Sequence, residues 1–419
     1  MSVSQNIAVV GSGISGLTAA HALQSQHRVT VFEADQRLGG HTDTHDIVVG
    51  DKHYSVDSGF IVFNTHNYPN FNRWLTELGV ASRASDMSFS VRSTSGAGDH
   101  FEYGTSDLAA LFAQRRNLVS PAFWKFLFDL RSFYRSAHAA ADLSADITLG
   151  QFVQTQGYGR VFVDEHLVPM CSALWSQPTT STLDIPIRFI VQFMQHHLML
   201  QISERPQWQV VEGGSSSYLR EFERSFNGRI LLREAVQKIR RQAGGVQVTT
   251  RTGTLDFDAV FLACHSDQAL LLLDDPSPLE QDILSRFTYQ ENTVLVHSDA
   301  SVMPINPKAW SSWNALTGHD EHQCQVTYWM NRLQGFAGDN FFVTLNPTRR
   351  LEQEFVRRQY AHPIITSSSV AAQSRKHEID GVAQTYFCGA YWGWGFHEDG
   401  VNSALSALNA FNLRLANAA

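Results

Sequence analysis

Three glycines near the amino terminus have the spacing of a phosphate-binding turn. Gly11, Gly13 and Gly16 directly follow the apolar residues 7–10, so this segment predicts a buried strand, a turn and the start of a helix. In such a turn Gly11 permits the tight bend, Gly13 lets the backbone approach a pyrophosphate, and Gly16 lets the helix pack on the strand. The helix N-terminus adds free N–H groups and the positive end of a dipole. The predicted chemistry is the binding of a dinucleotide.

An acidic residue stands where a dinucleotide site needs one. Residues 28–32 (RVTVF) predict a second strand, and Glu33 follows it about 20 residues after the glycine turn. At the end of that strand a carboxylate accepts hydrogen bonds from ribose hydroxyls. The alternative is an ordinary strand–turn–helix unit that binds no nucleotide.

Two further glycine-rich segments indicate which dinucleotide is bound. Gly39 and Gly40 come shortly after Glu33 and give the backbone a second place to lie close to a cofactor. A nicotinamide site has no general need for such a segment. Residues 387–400 (FCGAYWGWGFHEDG) precede a helical pattern, so they predict a second helix N-terminus. The residues on one face of that helix are Val401, Ala404, Leu405 and Leu408.

The two ends of the chain together resemble the flavin-containing amine oxidoreductase superfamily. This superfamily holds amine oxidases, protoporphyrinogen oxidases, phytoene-type desaturases and flavin-dependent fatty-acid isomerases. The resemblance covers both termini and the middle segment 208–267. Residues 389–400 are also similar to a bacterial subgroup of predicted FAD-binding proteins that is often associated with cyclopropane and other modified fatty-acid pathways. The cofactor that the resemblance implies is FAD, held without a covalent link.

The resemblance also implies which residues contact the cofactor. Residues 59–62 are expected to run beside the isoalloxazine ring, the backbone of Val236 to touch the adenine, and residues 397–401 to place N–H groups at the pyrimidine end of the ring. For Glu398 the alternative is a carboxylate that caps a helix. The full set of expected cofactor contacts is Gly11, Gly13, Ile14, Ser15, Gly16, Glu33, Ala34, Gly39, Gly40, His41, Thr42, Gly59, Phe60, Ile61, Val236, Gly389, Ala390, Glu398, Gly400 and Val401.

The sequence departs from the pattern of the superfamily in three places. His41 stands where many members have Arg, so a guanidinium contact to phosphate is not expected. Ala390 stands where many members have an acidic residue, so a carboxylate contact to the ribitol is not expected. Amine oxidases usually carry a lysine that holds a water near the flavin, and Lys308 is the only candidate here among five lysines. The alternative interpretation of Lys308 is a surface lysine beside a turn. The lack of a clear lysine weakens the prediction of an amine oxidase.

Aromatic residues crowd the carboxyl-terminal motif and are the other candidates for a catalytic role. Amine oxidases use paired aromatic side chains at this place to flank the amine, and Trp394 and Phe396 stand here. A wall of plain aromatic rings suits an apolar chain as well as an amine, and the alternative is ordinary core packing. No catalytic acid or base can be assigned, so Lys308, Phe396 and Trp394 are the weak candidates for catalysis by a flavin-driven enzyme.

Composition excludes several function classes. The chain has 419 residues, of which 43% are hydrophobic and 17% charged, and this is enough to bury a large core. A net charge of -8 argues against a nucleic-acid partner. The four cysteines, at 171, 264, 324 and 388, form no Cys-x-x-Cys pair, so no metal site is predicted and a reducing compartment is expected. With no signal peptide and no membrane span in the sequence, we expect a cytoplasmic protein, with a peripheral contact at the inner face of the membrane as an alternative.

The elements predict an α/β fold in which a Rossmann-like FAD-binding domain is interleaved with an α+β substrate domain. The FAD-binding domain is predicted from residues 1–85, 206–285 and 380–419, and the substrate domain from 86–205 and 286–379. Local predictions include a strand at 56–63, a helix at 70–78 and a hairpin of 89–91 with 101–103 around the loop 93–99. An apolar helix over 123–134 is predicted to line the core or a tunnel, or else to contact a membrane.

The sequence therefore predicts an FAD-dependent oxidoreductase that oxidises, desaturates or isomerises a hydrophobic small molecule or lipid, such as a modified fatty-acyl chain. Hydride would pass to flavin N5, and the electrons to oxygen or a membrane electron carrier. The alternatives are a flavin-containing amine oxidase and a flavin-binding protein with a structural or sensing role and little turnover. The identity of the substrate and the oligomeric state do not follow from the sequence.

Overall fold

The computed structural model describes residues 4–93, 101–201, 204–318 and 325–418. The tip of the predicted hairpin loop and Cys324 lie outside these residues. The strands are β1 (Asn6–Val10), β2 (Arg28–Phe32), β3 (Thr44–Val49), β4 (Lys52–Asp57), β5 (Phe63–Asn64), β6 (Ser82–Ser85), β7 (Phe89–Ser93), β8 (Phe101–Gly104), β9 (Trp208–Val211), β10 (Arg229–Leu231), β11 (Val236–Gln242), β12 (Gly245–Thr250), β13 (Thr254–Phe257), β14 (Ala259–Leu262), β15 (Tyr289–His297), β16 (Trp313–Thr317), β17 (Gln325–Trp329), β18 (Phe342–Leu345), β19 (Glu354–Pro363) and β20 (Thr385–Phe387).

Helices alternate with these strands in the outer parts of the chain and dominate the segment between β8 and β9. None of the helices in the described ranges is long and apolar enough to cross a membrane. The α-helices are α1 (Ile14–Leu23), α2 (Pro69–Glu77), α3 (Leu108–Leu111), α4 (Pro121–Ala140), α5 (Leu149–Gln156), α6 (Arg160–Phe162), α7 (Val168–Trp175), α8 (Thr179–Thr182), α9 (Ile187–His196), α10 (Ser217–Ser225), α11 (Ser266–Leu272), α12 (Pro278–Leu284), α13 (Met330–Gln334), α14 (Ser367–Gln373) and α15 (His397–Ala418).

A five-stranded parallel sheet forms the first layer, in the order β10-β2-β1-β14-β20. Both faces of its central strands are buried, which is why β1 and β14 read as continuous apolar runs in the sequence. Helices α1 and α15 pack together against one face. The predicted α/β class is confirmed, and the strands of this sheet come from three separate segments of the chain. The boundaries of the two domains remain a prediction.

A seven-stranded mixed sheet forms the second layer, in the order β19-β15-β18-β17-β16-β7-β8. The predicted hairpin is confirmed, since Val91 of β7 lies opposite Tyr103 of β8 in an antiparallel pair. The helices between β8 and β9 pack on this sheet in one apolar cluster that includes Phe126, Phe133 and Phe193. This cluster is rich in aromatic rings and forms the larger of the two main cores.

The predicted strand at 56–63 is wrong over its second half. Strand β4 ends at Asp57, and residues 58–62 pair with no strand. They cross the loop after Gly40 instead, because the Ser58 amide donates to the Asp43 carbonyl at 3.0 Å and the Phe60 amide to the His41 carbonyl at 2.8 Å. A Cβ atom on Gly59 would lie 2.0 Å from the His41 carbonyl oxygen, so only glycine permits this crossing.

The predicted helices agree with the structure more closely. Helix α2 covers the expected 70–78 within one residue and ends before Gly79, which has a φ of +71°. Helix α15 begins at His397, and Val401, Ala404 and Leu408 are buried on one face as predicted. Leu405 was assigned to the same face, and this is wrong, because its side chain is 37% exposed.

The buried carboxyl group of Asp57 joins three segments of the chain. It accepts hydrogen bonds from the Thr44 hydroxyl, from the amide and hydroxyl of Ser215, and from the Gln334 side-chain amide at 2.8 Å. Burial raises the pKa of Asp57 to about 7 in spite of these donors. The hairpin β3–β4, the turn before α10 and helix α13 are therefore held at one point.

Replacement of Asp57 tests this junction. Asp57→Ala leaves several buried donors without an acceptor, so we expect the free energy of unfolding to fall by about 3 kcal/mol in chemical denaturation. The matched control is Asp46→Ala in the same hairpin, because Asp46 is exposed and accepts only from Ser55. A fall of less than about 0.5 kcal/mol for Asp57→Ala, as expected for the control, would contradict the role of this junction.

Candidate functional site

One cavity of about 1250 Å³ joins the two sheets. At one end it is lined by the residues that follow β1 and β2, and at the other by Val294, Tyr328 and Leu345 of the seven-stranded sheet. Ligand sites for a single small molecule usually measure about 300–1,000 Å³. The cavity therefore has room for a cofactor and part of a second molecule.

The glycine turn has the shape that its sequence predicts. Gly11 has a φ of +99°, and a Cβ atom there would lie 2.6 Å from the Ala263 carbonyl oxygen. A Cβ atom on Gly16 would lie 2.0 Å from the Gly11 carbonyl oxygen, so Gly16 permits the close packing of α1. A Cβ atom on Gly13 would meet nothing within 4 Å, and Gly13 lines the cavity. The turn thus offers backbone amides in a space that any side chain would fill, which fits a pyrophosphate.

Glu33 is fixed at the wall of this cavity. One carboxylate oxygen accepts from the amide and the hydroxyl of Ser12, and the other accepts from the Asp35 amide at 2.8 Å. Each carboxylate oxygen has two acceptor positions, so the group keeps capacity for further donors such as ribose hydroxyls. Ser12 was not predicted, and its side chain ties the acid to the glycine turn.

The double-glycine loop is held open by a charged side chain. Gly39 and Gly40 both have positive φ values, and the Gly39 amide donates to the Ser12 carbonyl at 3.0 Å. The guanidinium group of Arg37 donates to the carbonyls of Gly40 and Thr42, at 2.8 and 2.9 Å. Because these hydrogen bonds hold the guanidinium group against the loop, the main role of Arg37 is to fix the shape of this part of the cavity wall.

His41 contributes an uncharged ring to the cofactor end of the cavity. Its Nε2 atom is buried without a hydrogen-bond partner, and its ring stacks on Tyr360 with centroids 4.9 Å apart. Burial, together with His362 and His265 nearby, holds the pKa of His41 well below its ordinary value. The orphaned nitrogen fits a polar group of a bound molecule, and the ring cannot replace the charge of an arginine.

The N-termini of α1 and α15 meet beside the cavity. A Cβ atom on Gly400 would lie 2.7 Å from Ile14 Cγ2 and 2.9 Å from Ser15 Oγ. At the start of α15 the ring of His397 stacks on Phe60 with centroids 3.6 Å apart. Burial lowers the pKa of His397 to about 3, so this ring also stays uncharged. Two positive dipole ends, rather than two cationic side chains, face this part of the cavity.

Most of the predicted cofactor residues lie on the wall of the cavity. These are Gly11, Gly13, Ile14, Ser15, Glu33, Ala34, Gly39, Gly40, His41, Gly59, Phe60, Ile61, Val236, Gly389 and Ala390. Five others lie behind that wall, namely Gly16, Thr42, Glu398, Gly400 and Val401. Thr42 shares a hydrogen bond with Tyr218, whose hydroxyl lies 3.0 Å from His397 Nε2. The direct cofactor contacts of all these residues remain a prediction.

Glu398 and Asp399 form hydrogen bonds with the backbone around the cavity and do not line it. The carboxylate of Glu398 accepts from the amides of Asn70 and Phe71, both at 2.9 Å, and thereby caps helix α2. The alternative reading as a capping group is thus borne out, although the helix that it caps is a neighbouring one. Asp399 accepts from the Phe396 amide at 2.9 Å, and burial raises its pKa to about 7. It fixes the loop that carries Trp394.

The structure separates the catalytic candidates. Trp394 and Phe396 line the cavity, and Phe396 stacks on Phe193 with centroids 5.0 Å apart. Lys308 is exposed in a short turn (Pro307–Ala309) and does not reach the cavity. The sequence-based candidacy of Lys308 therefore has no geometric support. Helix α4 contributes no residue to the lining, so of the two predicted roles of residues 123–134 the tunnel wall is wrong, whereas the core helix is confirmed by the burial of Phe123, Phe126 and Phe133.

Sequence reasoning missed a buried polar group on the aromatic side of the cavity. His197 is 5% exposed, and its Nδ1 atom is buried without a hydrogen-bond partner. Its ring lies 4.1 Å from that of Phe193 and 6.0 Å from that of Phe396, measured between centroids. Burial lowers the pKa of His197 to about 3. Its position at the carboxyl end of the apolar helix α9 was the one signal in the sequence.

The described residues form no cluster of metal-binding side chains. Over the ranges that the structure describes, no group of three or more His, Cys, Asp or Glu side chains could hold a metal ion.

Burial raises the pKa values of the Cys264 and Cys388 thiols to about 12, so both stay protonated.

Sequence comparisons connect this geometry with known proteins. Over residues 14–299 the chain matches the family described as flavin containing amine oxidoreductase. A stretch of 46 residues is 46% identical to an L-amino-acid oxidase from Siganus canaliculatus. This stretch is 11% of the chain and spans only 9% of that oxidase.

Solved structures share the whole fold. A protein assigned as protoporphyrinogen oxidase from Exiguobacterium sp. 255-15 has a TM-score of 0.71 at 17% identity, over 99% of this chain and all of that one. A cyclohexylamine oxidase from Brevibacterium oxydans IH-35A has a TM-score of 0.69 at 16% identity. A CLA-producing fatty acid isomerase from P. acnes has a TM-score of 0.67 at 12% identity. Each of these two matches covers 98% of this chain and 100% of the other chain. At such identities the likeness establishes the fold alone.

Substitution of Gly13 tests the phosphate cradle. Gly13→Val places a side chain in open cavity space, so the protein should fold but purify with less than about a tenth of the wild-type flavin, because the pyrophosphate can no longer approach. Gly13→Ala should lie between the two, as measured by the ratio of flavin to protein absorbance. Ala22→Val, at an exposed position of the same helix, is the control. Normal flavin content in Gly13→Val would contradict the placement of the cofactor.

Proposed function

The chain belongs to the flavin-containing amine oxidoreductase family, and on this premise we propose that it is an oxidoreductase that holds FAD without a covalent bond and oxidises, desaturates or isomerises a hydrophobic substrate. The observation that carries the proposal is the continuous cavity of about 1250 Å³, which runs from the glycine turn to an aromatic wall. When bound, FAD would supply a hydride acceptor: in an oxidation or desaturation the electrons would then pass to oxygen or to a membrane electron carrier, and in an isomerisation the hydride would return to the substrate.

The residues present fit FAD at the cofactor end. Gly13 and the start of α1 would hold the pyrophosphate, Glu33 the ribose, and the backbone of Val236 the adenine. Residues 59–61 and the start of α15 would flank the ring system, where N–H groups stabilise negative charge. The protonated thiols of Cys264 and Cys388 favour a non-covalent complex.

The substrate end favours an apolar molecule with one uncharged polar group. Phe193, Trp394 and Phe396 form its aromatic side, and Val294 and Leu345 of the seven-stranded sheet also line it. Such walls exclude water and hold a C–H bond in a fixed position, which is what the positioning of a reactant requires. His197 is neutral, so its Nδ1 atom can share a hydrogen bond with a hydroxyl, a carbonyl or an uncharged amine.

A second candidate is an amine oxidase. The pair Trp394 and Phe396 and the stretch that matches an L-amino-acid oxidase favour it. Against it, no lysine among the described residues lines the cavity, and Lys308 lies in an exposed turn. We therefore prefer the hydrophobic substrate. We also propose that the protein is cytoplasmic, as the sequence predicts.

Anaerobic flavin reduction separates the two candidates. We expect bleaching of the flavin absorbance near 450 nm on the order of minutes or faster with detergent-dispersed fatty acids or phospholipids, and none with simple primary amines. Lys308→Met should behave as wild type. Bleaching by amines alone, together with at least a tenfold slower reduction in Lys308→Met, would contradict the proposal and favour the amine oxidase.

His197→Phe tests the polar group at the substrate end. Loss of one neutral hydrogen bond costs about 0.5–1.5 kcal/mol, so we expect the KM or Kd of the bleaching substrate to rise about threefold to tenfold with unchanged flavin content. His53→Phe, at an exposed position of β4, is the control. Unchanged substrate affinity in His197→Phe would show that Nδ1 has no partner in the bound substrate.

A further inference from the structure

Five large apolar side chains are exposed within one short part of the chain. We call them the apolar patch: Leu108, Leu118, Val119, Trp124 and Phe128. Val119 is 82% exposed, Leu108 75% and Phe128 70%. Single exposed apolar residues are ordinary, but several in one place usually mark an interaction surface. No residue of the patch lines the cavity, so the proposed function does not account for it.

Contacts inside the segment make the patch continuous. Trp124 Nε1 donates to the Leu118 carbonyl at 2.9 Å, which holds helix α4 against the 3₁₀ turn before it. The ring of Phe112 lies 6.0 Å from that of Trp124 and follows Leu108 by one helical turn. The apolar side chains of the 3₁₀ turn (Arg115–Val119) and α4 therefore belong to one surface, and Phe112 connects this surface with the end of α3.

Cations surround this surface although the whole chain is acidic. Trp124, Phe128, Arg131 and Arg135 are spaced by four, three and four residues, which puts them on one face of α4. Both of these arginines are exposed, and Arg115 and Arg116 lie in the 3₁₀ turn. Residues 107–135 hold five cations and two acidic residues, in a chain whose net charge is -8. One of the two acids, Asp129, is buried and paired with Lys125.

The patch begins next to an exposed part of the cavity wall. Thr105 and Ser106 are part of the cavity wall, and Thr105 is exposed. Leu108, the first residue of the patch, starts helix α3 two residues later. A molecule held against the patch would therefore lie close to an entrance of the cavity.

We propose that the apolar patch docks on an anionic phospholipid surface and brings the cavity entrance to the lipid. Exposed aromatic and aliphatic side chains enter the interface between headgroups and acyl chains, while the surrounding arginines contact anionic headgroups. The role in substrate entry rests on the proposed function, whereas the docking itself does not. A two-fold dimer through the same patch would bring identical cations face to face, so the charge pattern favours lipid over a second copy of the chain.

Vesicle flotation of the purified flavoprotein tests the docking. With vesicles of phosphatidylcholine and phosphatidylglycerol we expect the protein to float with the lipid, and with phosphatidylcholine alone to stay mostly at the bottom. Phe128→Glu should weaken binding to anionic vesicles about tenfold or more, because it removes an inserted ring and adds a repelled charge. Leu413→Glu, at an exposed position of α15, should float as wild type. Flavin content and thermal unfolding of each variant show that it is folded.

Three outcomes would overturn the proposal. They are no flotation with anionic vesicles, equal flotation of Phe128→Glu and wild type, and a concentration-dependent dimer that Phe128→Glu abolishes while vesicles are not bound. Flotation needs no turnover, and bleaching by detergent-dispersed lipid needs no vesicle. The failure of the docking and the failure of the proposed function are therefore measured separately.

Discussion

The cavity depends on close approaches of backbone that only glycine allows. A Cβ atom would come within 2.0 Å of a carbonyl oxygen at Gly16 and at Gly59, and within 2.7 Å of Ile14 at Gly400. The first approach sets α1 against the end of β1, the second folds residues 58–62 over the double-glycine loop, and the third brings the N-termini of α1 and α15 together. These three contacts bring amides from distant parts of the chain to one wall, and Gly13 leaves the space in front of them open.

Burial determines the electrostatics of that wall. The pKa values of His41, His197, His362 and His397 are all lowered, mainly because these rings are buried, so the rings stay neutral at physiological pH. The polar groups on the cavity wall thus include backbone amides, neutral rings and the fixed carboxylate of Glu33, and charged side chains such as Arg37, Asp86 and Arg205 also line it. Helix N-termini can hold the charge of a diphosphate without a cation, and an uncharged aromatic end suits a substrate whose reacting bond is a C–H. The proposed division into a cofactor end and a substrate end follows from this contrast.

The parts of the site that are local in sequence could be predicted, and the parts that join distant segments could not. The glycine turn, Glu33 and helix α2 follow from spacing within a few tens of residues, and the structure agrees. His197 and Tyr360 line the cavity but belong to other segments of the chain. They contact Phe396 and His41, which are more than 150 positions away, and the sequence around each residue does not indicate such contacts. Residues 123–134 show a different limit, because their composition indicated a buried or membrane-facing helix without deciding between them. The structure buries Phe126 and exposes Phe128, so one face of α4 packs in the core and the opposite face is exposed.

The central claim is that this cavity holds FAD without a covalent bond. The most direct measurement is precipitation of the purified yellow protein with acid, followed by chromatography and mass spectrometry of the supernatant. We predict free FAD at about one equivalent per chain, with a colourless pellet, because backbone amides would hold the pyrophosphate and burial keeps the nearby thiols protonated. Flavin retained in the pellet, or FMN or NAD in the supernatant instead of FAD, would contradict it.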